Sequence, residues 1–504
     1  LHDALTGLMD SDAAMKSNPL ELDLQNLRQR QKRSRVFSLS SERNPVEEHE
    51  IDSMLSSGGS IARSFPDYEV RQEQIQMAQA VAHSLSNGEH LIVEGGTGIG
   101  KSVAYLLPAI LFAIRNQTRV VISTNTINLQ EQLIQKDIPS VVRALFDQLD
   151  TNEIDYALLK GRSNYLCLRK WNQLASAQSL SIEDARIVAR TLVWLSDTFT
   201  GDKSELNLNA RDSFAWDRIS ARGYGECPGG WNGTCFYRTA RDHAASAHVL
   251  VVNHSLLLSD LVRGSSFLPA YSHLIIDEAH HLEEEATRQF GFQVSQESMD
   301  EVQDGLARLI ENMQISTTKS SLPPSRRESL DIALKVFKEK IPQLRLTWAK
   351  MCSTLLAFMV EHSDHRTERD VQVRITDSLR KQPAWSQIEV LWSDFDDALT
   401  ECIHHAGNLN INLEGLEESL VDQAALLLDV TDRIQSSEEV RGNIKEFIAH
   451  PETGGIYWAK QRGADASVVL HSAPLHIGPI LGEKLFAQKE SVVLTSATLS
   501  TQGT

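Results

Sequence analysis

Residues 91–102, LIVEGGTGIGKS, constrain the fold more than any other stretch. Leu91-Ile92-Val93 is a short apolar run of the kind that forms a buried strand. After Glu94 come Gly95-Gly96-Thr97-Gly98-Ile99-Gly100-Lys101-Ser102, the G-x-x-x-x-G-K-S pattern of a phosphate-binding loop. Glycines let the backbone wrap so that successive N–H groups face phosphate oxygens. In such a loop the lysine, here Lys101, reaches the β- and γ-phosphates, and the Ser102 hydroxyl holds Mg²⁺. Val103-Ala104-Tyr105-Leu106-Leu107 then opens a helix whose positive end adds to the anion site. Strand, loop and helix in this order predict an α/β domain that binds ATP with Mg²⁺.

A chain of 504 residues is too long for one core, and roughly two to four domains are expected. Five cysteines argue against a disulfide scaffold and fit a reducing cytoplasm. No apolar run approaches a membrane span, and no signal-peptide pattern follows Leu1, so no membrane partner is expected. The net charge of -18 repels phosphate polymers. A nucleic-acid partner would therefore need a local basic surface.

Residues 1–60, with a basic cluster from Arg28 to Arg35 and Ser/Glu-rich sequence after it, read as a tail or linker. Residues 68–87 carry Ile75, Ala78, Val81, Ala82 and Leu85 on one helical face, ended by Asn87-Gly88. Near its start, Gln74 suits both edges of adenine, Tyr68 could stack on the base, and Arg71 lies beside them. The expected nucleotide site thus comprises Tyr68, Arg71, Gln74 and the loop Gly95, Gly96, Thr97, Gly98, Ile99, Gly100, Lys101 and Ser102. RVVIS at 119–123 is a second strand, followed by Thr124-Asn125-Thr126. Those side chains suit the phosphates of a nucleic-acid backbone, and they suit ordinary helix capping equally well.

Residues 274–280, LIIDEAH, form an apolar strand running into Asp277-Glu278. With a phosphate loop upstream, Asp277 is expected to hold Mg²⁺ and Glu278 to deprotonate the attacking water. His280 would relay between the nucleotide and the rest of the motor. His280-His281 with Glu283 and Glu284 has no standard metal-site spacing.

The D-E-A-H box resembles that of superfamily 2 helicases, and the neighbouring stretches resemble the DinG branch of the XPD/DinG family. The resemblance rests on YEVRQEQIQMA, EGGTGIGKS, VVISTNTINLQEQLIQKDIP, KGRSNYLC, ECPGGWNGTCFYRTAR, VVNHSLLLSDL, HSAPLHIGPILGEKLF and SVVLTSATLS. They cover nearly all of 65–290 and 456–500. The resemblance implies a RecA-like P-loop NTPase domain with a cysteine-containing insertion and an all-helical, Arch-like insertion. The implied layout is a tail over 1–60, motor domain 1 over 61–155, 243–290 and 456–504, an iron–sulfur-type insertion over 156–242 and the helical insertion over 291–455.

In the family, four cysteines of the first insertion hold a [4Fe–4S] cluster. Here only Cys167, Cys227 and Cys235 are present, so either a fourth ligand is not a cysteine or the cluster is lost. Around them, Lys160, Arg162, Arg169, Lys170, Arg218, Arg222, Arg238 and Arg241 interleave with Tyr165, Trp171, Tyr224, Trp231, Phe236 and Tyr237. Such a mixture suits single-stranded DNA, with charges on phosphates and rings on bases. Cys352 and Cys402 read as core thiols. Ser496-Ala497-Thr498 corresponds to the family's segment coupling nucleotide state to DNA state. A second motor domain with a Q-x-x-G-R arginine is expected beyond Thr504, so the chain reads as a fragment.

The leading expectation is an ATP-dependent 5′→3′ DNA helicase acting on single strands and on forked or tailed duplexes in repair or replication. The alternatives are a nucleotide- and DNA-binding fragment without motor activity, and a cluster-less nuclease.

Overall fold

The computed structural model describes residues 44–65, 68–96, 98–145, 154–175, 180–223, 234–265, 267–363, 371–416, 420, 423–462 and 467–498. Its strands are β1 (Leu91–Glu94), β2 (Val120–Thr124), β3 (Tyr156–Leu158), β4 (Val249–Asn253), β5 (His273–Asp277), β6 (Phe292–Val294), β7 (Gln372–Arg374), β8 (Gly455–Arg462), β9 (Ser467–Pro474) and β10 (Ser491–Ser496). The chain divides into two compact units. One is Leu1–Arg222, Pro228–His280 and Gln488–Thr504, and the other is Gly223–Cys227 and His281–Ala487.

The first unit is built on a parallel sheet in the order β1-β10-β5-β2-β4-β3. Parallel strands covered on both faces read as continuous apolar runs, and every residue of β2 and β5 is buried. The strand ahead of the phosphate loop differs from its sequence reading. β1 is the sheet edge, half-buried and exposed residues alternate along it, and Ile92 is 71% exposed. The helix after the loop, Lys101–Arg115, buries ten consecutive residues from Ala104 to Ala113 and packs against the Gln72–Asn87 helix. This is the α/β architecture with a parallel sheet that the loop predicted.

The tail expected over 1–60 does not extend to residues 44–60. Glu48–Leu55 and Ser60–Ser64 are helices whose Ile51, Leu55 and Ile61 join the core of this unit. Glu47 and Glu50 form a capping box at the first helix. Arg115 then fastens that helix by donating to both Glu50 oxygens at 2.7 and 3.0 Å. Three apolar positions among serines and glutamates were too few to show as a helix in composition.

The insertion after β3 also differs from its sequence reading. Tyr165, Trp171, Phe236 and Tyr237, expected to stack on bases, are all buried. The Trp171 indole donates to Thr191 Oγ1 at 2.6 Å. A small insertion needs its own core, and its largest apolar side chains fill it. Tyr224 and Trp231 lie outside the described residues. Among the described residues of this insertion the most exposed rings are Phe199 and Phe214. Several of the basic residues are also engaged. Lys160 is buried between Asp202 (2.7 Å) and Glu131 (3.0 Å), Arg218 pairs with Asp184, and Lys170 donates to the Arg222 carbonyl.

The second unit holds the long helices Gln296–Lys319, Pro324–His362, Pro383–Glu414 and Gln423–Ile448, whose apolar faces form one core. It is not all helical. β6, β9, β8 and β7 form an antiparallel sheet in that order. Residues 456–474, read as a return to the motor sheet, belong here instead. Strand propensity identifies a strand but not its sheet. Among these late strands only β10 joins the parallel sheet. No helix among the described residues is long and apolar enough to cross a membrane.

Candidate nucleotide site

The loop and the acidic strand meet at the C-terminal ends of β1 and β5, where ligands bind in open parallel sheets. Gly98 (φ 86°) and Gly100 (φ 82°) take left-handed conformations that other residues adopt only with strain. Gly95 N–H donates to the Ser496 carbonyl at 2.9 Å, tying the loop's start to the end of β10. Thr97 lies outside the described residues. Lys101 Nζ is 3.3 Å from Glu278 Oε1, an ion pair between residues 177 apart in the chain.

Asp277 is buried at the end of β5. Its Oδ1 accepts from Glu278 N–H at 2.9 Å and its Oδ2 from the Tyr105 hydroxyl at 3.1 Å. Burial, and then the neighbouring Glu278 charge, raise the Asp277 carboxyl above the usual carboxylate range. A buried acid in such surroundings is stabilised by a cation, and Ser102 lies one helical turn before Tyr105 on the Lys101–Arg115 helix. The Ser102 hydroxyl and the Asp277 carboxylate are the pair expected to hold Mg²⁺, and hard oxygen donors of this kind fit that ion. Glu278 itself has φ 53°, a left-handed backbone that costs a non-glycine residue about 1–2 kcal/mol.

His280 Nδ1 lies 2.6 Å from Ser496 Oγ and 3.4 Å from Glu278 Oε2. Thr498 N–H donates to the same serine hydroxyl, with the half-buried Ala497 between them. The relay expected of His280 and the coupling segment Ser496, Ala497 and Thr498 are thus one cluster of contacts.

Other expected residues are placed differently. Both ends of the Gln74 amide are used inside the protein: Nε2 donates to the Gly100 carbonyl at 3.1 Å, and Oε1 accepts from Tyr68 OH at 2.9 Å. Tyr68 OH also contacts the Leu55 carbonyl, and Arg71 pairs with Glu69. Gln74 as placed braces the loop and does not offer its amide to a base. Thr126 Oγ1 accepts from Leu129 N–H, so that hydroxyl is a helix cap here. Thr124 Oγ1 donates to the Thr126 carbonyl, and Asn125 is half-buried between them.

Two contacts were not foreseen. Tyr105 was visible only as an apolar helix position, although one helical turn from Ser102 is the spacing for a shared face. Ser123 Oγ lies 2.7 Å from His254 Nδ1, joining the ends of β2 and β4.

For iron, Cys167 and Cys235 are half-buried cysteines outside any disulfide among the described residues, and Cys227 lies outside the described residues. Among the described residues no group of three or more His, Cys, Asp or Glu could hold a metal ion. Three insertion cysteines are one thiolate short of the usual cluster donor set, and no step below runs through a cluster.

The DEAD/DEAH box helicase family matches residues 74–162, and the DEAD_2 family matches residues 220–299. The chain is similar to the ATP-dependent DNA helicase YoaA of Escherichia coli (strain K12), 30% identical over 457 residues, which are 88% of this chain and 62% of that protein. It is similar to the 3'-5' exonuclease DinG of Bacillus subtilis (strain 168), 29% identical over 88% of this chain and 47% of that protein. Over a shorter span it is 41% identical to the ATP-dependent helicase DinG of Mycobacterium tuberculosis (strain ATCC 25618 / H37Rv), covering 43% of this chain and 35% of that protein. The chain thus spans less than two thirds of the length of each of these relatives.

Proposed function

Since the chain belongs to the DinG-type DEAD/DEAH-box helicase family, we propose that it is the ATP-hydrolysing part of an ATP-dependent 5′→3′ DNA helicase. It works on single-stranded DNA and on forked or tailed duplexes, in repair or replication in the cytoplasm, together with a second motor domain. The observation that carries this reading is the meeting of Lys101 of the phosphate loop with Glu278 of the acidic strand.

In this reading Ser102 and Asp277 hold Mg²⁺, which would neutralise phosphate charge when bound. Lys101 leaves Glu278 and takes up the β- and γ-phosphates. Glu278, freed, accepts the proton of the water that attacks the γ-phosphorus, and the bond from that phosphorus to the β–γ bridging oxygen breaks to release ADP. The second motor domain supplies an arginine to the same phosphate and the other half of the DNA track.

The test is nucleotide turnover by the intact protein with and without single-stranded DNA. Glu278→Gln should bind Mg·ATP and lose about 10²–10⁴-fold in turnover, and Lys101→Ala should lose nucleotide binding. Parent-like hydrolysis by Glu278→Gln would refute the assigned base. The similarity to the 3'-5' exonuclease DinG of Bacillus subtilis brings in an exonuclease as the second reading. Degradation of end-labelled single strands without ATP, unaffected by Lys101→Ala, would favour it.

A further inference from the structure

One buried hydroxyl beside the nucleotide site has no role in the chemistry above. Tyr105 lies on the Lys101–Arg115 helix, three residues after Ser102, so the two side chains share a face. Tyr105 is 0% exposed, and its hydroxyl touches Asp277 Oδ2 at 3.1 Å. An ionised carboxylate only accepts, and a phenol has one proton to give. Tyr105 therefore donates to Asp277.

This direction of bonding decides which lone pairs Asp277 can offer a cation. Asp277 is held at both ends, Oδ2 by Tyr105 and Oδ1 by Glu278 N–H, so its carboxylate plane cannot turn freely. Groups that orient ligands in this way commonly govern metal affinity.

We propose that Tyr105 is the positioning residue for Mg²⁺ at this site, its phenol holding the strand carboxylate of Asp277 in the orientation that receives the ion. The proposal rests on the nucleotide reading of the site.

Tyr105→Phe removes one oxygen and keeps the ring that fills the core. The experiment measures binding of a fluorescent ATP analogue to the full chain, first in EDTA and then across a Mg²⁺ titration, with a thermal melt to verify folding. Affinity in EDTA should stay within about twofold of the parent, while the Mg²⁺ concentration for half-maximal binding rises about 10–100-fold. An unchanged Mg²⁺ midpoint in the folded variant would overturn the proposal. So would an equal loss of affinity in EDTA, or a variant that melts before it binds, because the hydroxyl would then support the loop rather than the ion. If the parent shows no Mg²⁺-dependent nucleotide binding, the nucleotide reading itself fails, which the parent's own titration reveals separately.

Discussion

His280 Nδ1 and Ser496 Oγ meet at 2.6 Å across the ends of adjacent strands β5 and β10. The same serine accepts the Gly95 N–H through its carbonyl, and the same histidine reaches Glu278. One residue of β10 is therefore in contact with both the phosphate loop and the acidic strand. Any change in loop position on nucleotide binding has a short path to residues 496–498.

Ser496→Ala removes the side-chain contact and leaves the carbonyl. Mg·ATP affinity should be nearly unchanged. Stimulation of turnover by single-stranded DNA should fall about 3–10-fold, the worth of one hydrogen bond. Steady-state hydrolysis by the intact protein over a DNA titration checks this, and a parent-like DNA response would remove the coupling role.

Gln74 braces Gly100 in this structure, whereas the sequence suggested base recognition. The two roles predict different nucleotide selectivity. A brace predicts that Gln74→Ala weakens ATP and GTP alike by about 3–10-fold. Competition binding with both nucleotides decides, since base reading predicts a loss confined to ATP.

Lys160 is enclosed by Asp202 and Glu131 and so is not available to a phosphate backbone. Lys160→Met would leave two facing carboxylates, one of them buried. The expected loss is about 3 kcal/mol of stability, the lower end for a broken buried pair because Glu131 stays partly in water. Urea unfolding measures it, and DNA affinity per folded molecule should not change.

Glu50 gives a pH dependence. Its hydrogen bonds from Arg115 hold the carboxyl below its ordinary value of 4.5. The folded form thus binds the proton more weakly than the unfolded form, so the pair stabilises above the ordinary range and loses that contribution as pH falls through the folded value. Both groups are partly solvated, so the gain is about 0.5–1 kcal/mol. Melting temperatures of parent and Glu50→Gln should differ near neutrality and converge as pH falls from the ordinary value of 4.5 through the lowered folded value.

The phosphate loop and LIIDEAH were legible because each needs fixed residue types at contiguous positions. The α/β class followed from them. What the sequence hid depends on distant partners. Nothing in IYW or SVVL says that β8 turns antiparallel while β10 slots between β1 and β5. Trp171 and Tyr237 look alike as base platforms and as core, and only a partner such as Thr191 at the indole tells them apart. Gln74 had the right chemistry for adenine, but Gly100 and Tyr68 hold its amide.

The position of β10 also sets a schedule for the cell. Its serine is made 216 residues after the histidine it touches, a gap of about 10–40 s at ordinary rates of synthesis. Through that interval β1 and β5 have emerged from the ribosome with the slot between them empty, and the loop lacks its tie to Ser496. A nascent chain therefore cannot close the Gly95–Ser496 tie of the candidate nucleotide site until the whole second unit has been translated. Half-made molecules would then lack that tie, while their two open strand edges would need shielding by chaperones until the last strand arrives.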